Sequence, residues 1–218
     1  MTRTPPLYGL AQHTVGRYLS HSWRPTVDGL GHLPDTGGAI LAANHLSVAD
    51  QLFLGILTPR HIAFWAKAEY FRSPGPRGHL TRRIVTGMGA IPVERNGGRA
   101  ALAAFDAAVP VLRSGGLVAV FPEGTRSPDG RLYRGRTGAV RLAHQASVPI
   151  IPVGIRGTNH VRPPGSRLPR RHPISITFGP AIPVHIEAPA DIRRLTDTLM
   201  ATIQSLTCQE YVPHYARR

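Results

Sequence analysis

The stretch AILAANHLSVADQLFLGIL, residues 39–57, decides the fold. Its first five residues, AILAA at 39–43, form a short apolar run of the kind a buried strand requires. From Asp50 to Leu57 the spacing turns helical, and Ser47-Val48-Ala49-Asp50 supplies a start signal. Ser47 fits the N-cap and Asp50 the third helical position, where a carboxylate favours the positive end of the macrodipole. A buried strand running directly into a helix is the repeating unit of α/β proteins.

The same alternation continues on both sides. IAFWA at 62–66, GLVAVF at 116–121, PIIPVGI at 149–155 and ISITF at 174–178 read as further buried strands. Gly98 to Arg113 reads as a helix with Leu102, Phe105, Val109 and Leu112 on one stripe, which Pro110 is expected to kink or end early. Thr137 to Ala146 and Ile192 to Leu206 complete the helices. The pattern predicts one α/β domain over 1–218, a mixed, largely parallel sheet flanked by helices, with a motif-bearing core at 39–160 and a C-terminal helix and basic tail at 190–218. The 23 glycines and 21 prolines punctuate these elements and form no low-complexity tract or repeat. Arg156 to Pro173, with five arginines, reads as a basic surface loop.

Within the N-terminal segment 1–25, residues 7–23 have amphipathic helical spacing. Leu7, Ala11, Val15 and Tyr18 share one side with Leu10 and Leu19 beside them, while Gln12, His13 and Arg17 point away. Such a stripe ordinarily packs on the domain's own core; the alternative is a membrane interface. No window of about eighteen apolar residues predicts a spanning helix, and MTRTPPLYGL lacks the apolar centre of a secretory signal.

Lys and Arg total 26 against 12 Asp and Glu, a formal net charge of +14. Such a surface attracts anions: phosphorylated metabolites, acidic lipid headgroups or nucleic acid. Cys208 is the single cysteine, so no internal disulfide and no cysteine-based zinc site is expected, which suits a reducing, cytoplasmic compartment. Specific nucleic-acid binding predicts stacking aromatics among basic clusters, or a zinc or helix-turn-helix signature, and none is found.

The chemistry centres on His45 and Asp50. On a continuous helix five residues advance about 500°, leaving the two side chains roughly 140° apart. A helix that starts after Ser47 leaves His45 in the preceding loop, free to fold back so that the Asp50 carboxylate accepts one imidazole N–H and the other nitrogen faces outward. That is the histidine–aspartate part of a catalytic triad, and without a recognisable serine nucleophile the hydroxyl to be deprotonated belongs to a substrate.

NHLSVAD, Asn44 to Asp50, resembles the NHx4D motif of the glycerolipid acyltransferase family, whose best-known members are 1-acylglycerol-3-phosphate acyltransferases. The resemblance implies that His45 is the general base and Asp50 its orienting partner. GAIPVER, Gly89 to Arg95, resembles the second block of that family, and implies a phosphate contact for Arg95. FPEGTRS, Phe121 to Ser127, resembles the third block and follows a buried strand, where ligands of open α/β sheets bind. There Gly124 lets backbone N–H groups approach an anion, Arg126 can grip phosphate oxygens, Glu123 can accept from an acceptor hydroxyl, and Thr125 can add a hydroxyl. VPIIPVGI, Val148 to Ile155, resembles the fourth block. Lys67 resembles a lysine common in the family, and Arg134 and Arg136 of LYRGRTG stand where lysines often occur.

The resemblance implies transfer of a fatty acyl group from acyl-CoA or acyl carrier protein to a lysophospholipid hydroxyl, most simply that of 1-acylglycerol 3-phosphate, giving phosphatidic acid. It implies no metal, no cofactor beyond the donor, and attachment to an anionic membrane surface, peripherally on the inner face of the cell membrane. The rivals are the same fold acting on another lipid or glycolipid acceptor, a thioesterase in which water replaces the alcohol, and a noncatalytic basic membrane- or nucleic-acid-binding protein.

Overall fold

All five side chains of AILAA are fully buried, and strand alternation sends them into two different cores. Ala39, Leu41 and Ala43 face one, Ile40 and Ala42 the other. A strand with no wet face needs helices on both sides, and the computed structural model of the chain supplies them, describing residues 4–93, 100–161 and 169–217.

The strands are β1 (Thr26–Asp28), β2 (Ala39–Ala43), β3 (Ile62–Ala63), β4 (Trp65–Lys67), β5 (Ile91–Val93), β6 (Leu117–Val120), β7 (Leu132–Tyr133), β8 (Ile150–Arg156), β9 (Ser175–Phe178) and β10 (Tyr211–Val212). The helices are α1 (Pro6–Ala11), α2 (Arg17–Trp23), α3 (Ala49–Leu57), α4 (Glu69–Arg72), α5 (Gly75–Gly87), α6 (Ala100–Arg113), α7 (Gly138–Ala146) and α8 (Pro189–Thr207). The main sheet runs β1-β9-β8-β2-β6-β3, with β8 against β9 the antiparallel pair. Its four central and edge strands β8, β2, β6 and β3 are mutually parallel, so the loops after them open on one edge.

On one face α2 and α3 bury Leu19, Phe53 and Leu54 against Leu41, Ile151 and Val153. On the other, α6, α7 and α8 bury Leu112, Leu142 and Ile203 against Ile40, Val118 and Ile150. Each such side chain contributes about 1.5–3 kcal/mol by leaving water. Gly154 lets α8 lie close on β8, since a Cβ there would meet the Leu206 Cβ at 2.7 Å.

Three sequence expectations are revised. IAFWA is not one strand: the chain turns at Phe64, so Ile62–Ala63 joins the main sheet while Trp65–Lys67 pairs with β5. Pro110 does not end α6, which runs on to Arg113. Pro110 is exposed, so the Asp106 carbonyl that loses its N–H partner faces solvent, while Ala108, Val109 and Leu112 anchor the helix by burial. At the N-terminus the buried side is Tyr8, Gly16 and Leu19, not the Leu7–Ala11–Val15–Tyr18 stripe. Tyr8 Oη donates to the Gly55 carbonyl at 2.6 Å, and Gln12 Nε2 donates to the Gly55 and Thr58 carbonyls. A π-helical turn at Gln12–Gly16 separates α1 from α2; its wider winding offsets the face expected from a 3.6-residue period. Among the described residues no helix is long and apolar enough to cross a membrane.

Candidate active site

β2 ends at Ala43 and delivers Asn44 and His45 to the open edge of the sheet. Asn44 is fully buried: its side-chain amide donates to the Ile155 carbonyl and accepts the Ile155 N–H, both at 2.8 Å, as a third strand residue would. The same Nδ2 also donates to Gln209 Oε1 at 2.9 Å. Asn44 therefore fixes the departure of the loop from β2, a role the motif did not disclose because its partners lie more than a hundred residues away.

His45 Nδ1 lies 2.8 Å from Asp50 Oδ2. That one oxygen also accepts the backbone N–H groups of Leu46 at 2.7 Å and Ser47 at 2.9 Å. The bond to the Ser47 amide ties Asp50 back to the turn that leads into α3, where the Asp50 N–H donates to the Ser47 carbonyl at 3.2 Å and Ser47 Oγ accepts from the Ala49 N–H at 3.3 Å. Capping and orientation of the histidine are thus one arrangement, built on one carboxylate oxygen. Helix α3 starts at Ala49 with Val48 as its boundary residue in helical dihedrals, so the N-cap falls one residue after the Ser47 expected and Asp50 is the second helical residue, not the third. Asp50 is fully buried, and its Oδ1 has no hydrogen-bond partner among the described residues. Because a carboxylate so surrounded by donors only accepts, Nδ1 carries the proton and Nε2 presents a lone pair. Nε2 has no partner among the described residues, and the side chain is 15% exposed.

Phe121, the first residue after β6 and of FPEGTRS, stacks on the imidazole with centroids 4.0 Å apart and planes at 18°. The His45 carbonyl accepts the Ser127 N–H at 2.7 Å. Glu123 completes the union of the two segments: Oε1 accepts the His45 N–H at 2.9 Å and Oε2 the Tyr133 N–H at 3.0 Å. Glu123 is fully buried with both oxygens engaged, so it clamps three backbone segments together and does not reach a ligand hydroxyl, the contact expected of it from sequence. Burial pushes its carboxyl up to about 7, against the pull of the Tyr133 and His45 N–H groups.

Gly124 turns the chain at φ +75°, and a Cβ there would lie 2.9 Å from Arg136 Cδ and Nε. The Arg136 backbone N–H donates to the Pro122 carbonyl at 2.7 Å, and its guanidinium sits 4.9 Å from the Tyr215 ring centroid. Thr125 is half-buried and Arg126 exposed on the same turn. Arg134 lies 5.5 Å from the Tyr215 centroid and lines a cavity of about 330 Å³ with Asp197, Gln204 and Tyr211. Lys67 is half-buried at the end of β4, in the small β4–β5 sheet. Arg95 lies outside the described residues. The structure thus joins His45, Asp50, Glu123, Gly124 and Arg136 in one constellation, with Arg134 behind it and Lys67 on a separate sheet.

Residues 24–156 match the model of the acyltransferase family, and they include every part of this constellation up to Arg136. The chain belongs to the acyltransferase family. Among relatives of this family member, the 1-acyl-sn-glycerol-3-phosphate acyltransferase of Limnanthes alba is 34% identical over 177 residues, covering 81% of this chain and 60% of that protein. The enzyme of the same name from Bacillus subtilis is 26% identical over 182 residues, covering 80% of this chain and 84% of that one. The chain spans only 39% of the corresponding chloroplastic protein of Arabidopsis thaliana. The crystal structure of the 1-acyl-sn-glycerophosphate acyltransferase PlsC from Thermotoga maritima shares the fold, with a TM-score of 0.70, 22% identity, and coverage of 94% of this chain and 83% of that one.

Proposed function

We propose that the chain transfers a fatty acyl group from a thioester donor, acyl-CoA or acyl carrier protein, to the free hydroxyl of a lysophospholipid, most simply 1-acylglycerol 3-phosphate. The observation that carries this reading is the 2.8 Å Nδ1 to Asp50 bond, which leaves His45 Nε2 without a partner among the described residues, on a loop that Glu123, the neighbour of Gly124, holds by the His45 N–H. Nε2 takes the hydroxyl proton as the acceptor oxygen attacks the thioester carbonyl. The tetrahedral intermediate collapses with loss of the thiolate, which recovers the same proton from Nε2. Asp50 holds the tautomer and its charge favours the imidazolium that forms between the two steps. Arg126, Arg136 and the backbone at Gly124 receive the acceptor phosphate, with Arg95 and Thr125 as further contacts, so that the hydroxyl is held within reach of the base. Positioning of this kind supplies a large part of the rate in a two-substrate transfer.

The acyl chain is assigned to an apolar groove of about 300 Å³ between the N-terminal helix and α3, lined by Tyr8, Val15, Leu52, Ile56, Phe64 and Met88. Its lining on α3 starts at Gln51, the residue after Asp50. On the same N-terminal segment Leu7, Leu10, Val15 and Tyr18 are 40%, 59%, 45% and 63% exposed, and apolar side chains left open in a chain of net charge +14 suit an anionic membrane surface. We assign this face to peripheral attachment on the inner side of the cell membrane.

The reading is tested by incubating the protein with palmitoyl-CoA and 1-acylglycerol 3-phosphate and identifying the lipid product by mass spectrometry. Phosphatidic acid carrying the palmitoyl group supports it. Free palmitate alone identifies a thioesterase, and acylation only of a different supplied lysolipid or glycolipid reassigns the acceptor.

A further inference from the structure

The segment after α8 is built into the site. Gln209 Oε1 accepts from Asn44 Nδ2 at 2.9 Å, and Gln209 Nε2 donates to the Gly130 carbonyl at 2.6 Å, so one side chain ties the His45 loop to the loop that follows FPEGTRS. Beyond it β10 pairs in parallel with β7, and the Arg134 N–H donates to the Val212 carbonyl at 3.0 Å and the His214 carbonyl at 3.1 Å. The His214 ring stacks on Tyr133, whose backbone N–H is held by Glu123. This strap ends by setting Tyr215 against two cations at once: Arg136 at 4.9 Å and Arg134 at 5.5 Å from the ring centroid.

Two guanidinium groups sharing one ring repel each other, and neither has a carboxylate partner among the described residues, unlike Arg131, Arg193 and Arg194. A ring face attracts such cations without neutralising them, so it can hold a guanidinium in place while leaving its N–H groups to a ligand. Arg136 is held on its other side by Gly124, whose missing side chain gives it room.

We infer that Tyr215 is a positioning residue for the acceptor phosphate: it fixes Arg136 over the Gly124 turn, and the strap from Gln209 to Tyr215 completes the phosphate site that the family motifs begin. The inference rests on the proposed phosphate role of Arg136 and extends it to a segment outside the matched residues 24–156. The ligand class is a phosphate monoester, which two guanidinium groups and backbone N–H groups recognise by charge and hydrogen bonding.

The test is steady-state kinetics on the full chain with palmitoyl-CoA and 1-acylglycerol 3-phosphate, comparing Tyr215→Leu, Tyr215→Phe and Arg136→Ala. Tyr215 is 44% exposed, so each variant is expected to fold, and thermal melts confirm it. Cation–π contacts at exposed sites predict that Tyr215→Leu raises the acceptor KM about two- to fivefold. The donor KM and kcat should stay within about twofold, since the reacting atoms are untouched. Tyr215→Phe, which keeps the ring, should match wild type, and Arg136→Ala should raise the acceptor KM at least as far as Tyr215→Leu. An unchanged acceptor KM in Arg136→Ala overturns the underlying phosphate assignment. A raised value in Arg136→Ala with none in Tyr215→Leu overturns the positioning role alone, as does a Tyr215→Phe variant that behaves like Tyr215→Leu.

Discussion

Replacing Asp50 by Asn separates what its charge does from what its shape does. In the native site Oδ2 accepts from His45 Nδ1, Leu46 N and Ser47 N at 2.8, 2.7 and 2.9 Å. The two backbone N–H groups cannot move without unwinding the start of α3, so they select the orientation of the new amide. Its oxygen must take the Oδ2 position, because the opposite flip would aim an NH₂ at two N–H donors. The amide oxygen then still accepts from Nδ1–H, and the histidine keeps its tautomer. What is lost is the negative charge. At ~4 Å and an effective dielectric of ~20, a unit charge favours the imidazolium by ~4 kcal/mol. The proton is only partly transferred at the transition state, so Asp50→Asn should lower kcat about a hundred- to a thousandfold, at ~1.4 kcal/mol per factor of ten. That is less than the roughly ten-thousandfold loss seen when the same change in a serine-protease triad leaves the wrong tautomer. The amide nitrogen enters the Oδ1 position, which is buried without a partner, and should cost about 1–3 kcal/mol of stability. The assay is thiol release from palmitoyl-CoA with saturating acceptor, on protein shown folded by circular dichroism. A variant retaining a third or more of wild-type kcat would refute the role of the charge. A loss of ten-thousandfold or more in folded protein would refute the retained tautomer.

Three further outcomes follow from named contacts. Glu123 is raised to about 7 in the folded chain from an ordinary 4.5, so the native state holds its proton more tightly than the unfolded chain. The stability this confers is complete below the unfolded value and is lost as pH rises through about 7, about 3 kcal/mol in all. Urea unfolding of wild type and Glu123→Gln at intervals between pH 4.5 and 8 should show that decline in wild type alone, and parallel profiles would contradict it. Gly124→Ala forces a Cβ to φ +75° and to 2.9 Å from Arg136, so it should lose about 1–2 kcal/mol in chemical denaturation and raise the acceptor KM; an unaltered KM would separate Arg136 from the acceptor. Leu10→Glu with Tyr18→Glu should leave the melting temperature within a few degrees and reduce co-sedimentation with anionic vesicles severalfold, whereas equal binding would move the membrane face elsewhere.

The parts of the site legible in the sequence are those whose partners are local. His45 and Asp50 were readable because Ser47 announces a helix start between them, and that start is what brings a five-residue spacing into hydrogen-bond range. The AILAA strand was readable because a fully buried strand tolerates no polar side chain on either face. Glu123 was not: as part of FPEGTRS it looks like a ligand contact, and only the return of β7 beneath it shows that both oxygens are spent on the backbone of His45 and Tyr133. Asn44 and Gln209 meet across 165 residues, a distance no spacing rule covers. The N-terminal stripe misled because hydrophobic periodicity ranks side chains by apolarity, while docking on α3 here depends on hydrogen bonds from Tyr8 and Gln12. Helix α5 escaped the sequence reading because Gly78 is its one buried residue, so it carries no apolar stripe.

The central claim is that His45 is the base for an acceptor hydroxyl. Its most direct test is thiol release from palmitoyl-CoA by wild-type and His45→Ala protein, each with and without 1-acylglycerol 3-phosphate. The account predicts release by wild type that requires the acceptor, and a loss of about a hundredfold or more in His45→Ala with its fold retained. Acceptor-dependent release at an undiminished rate in His45→Ala would contradict it.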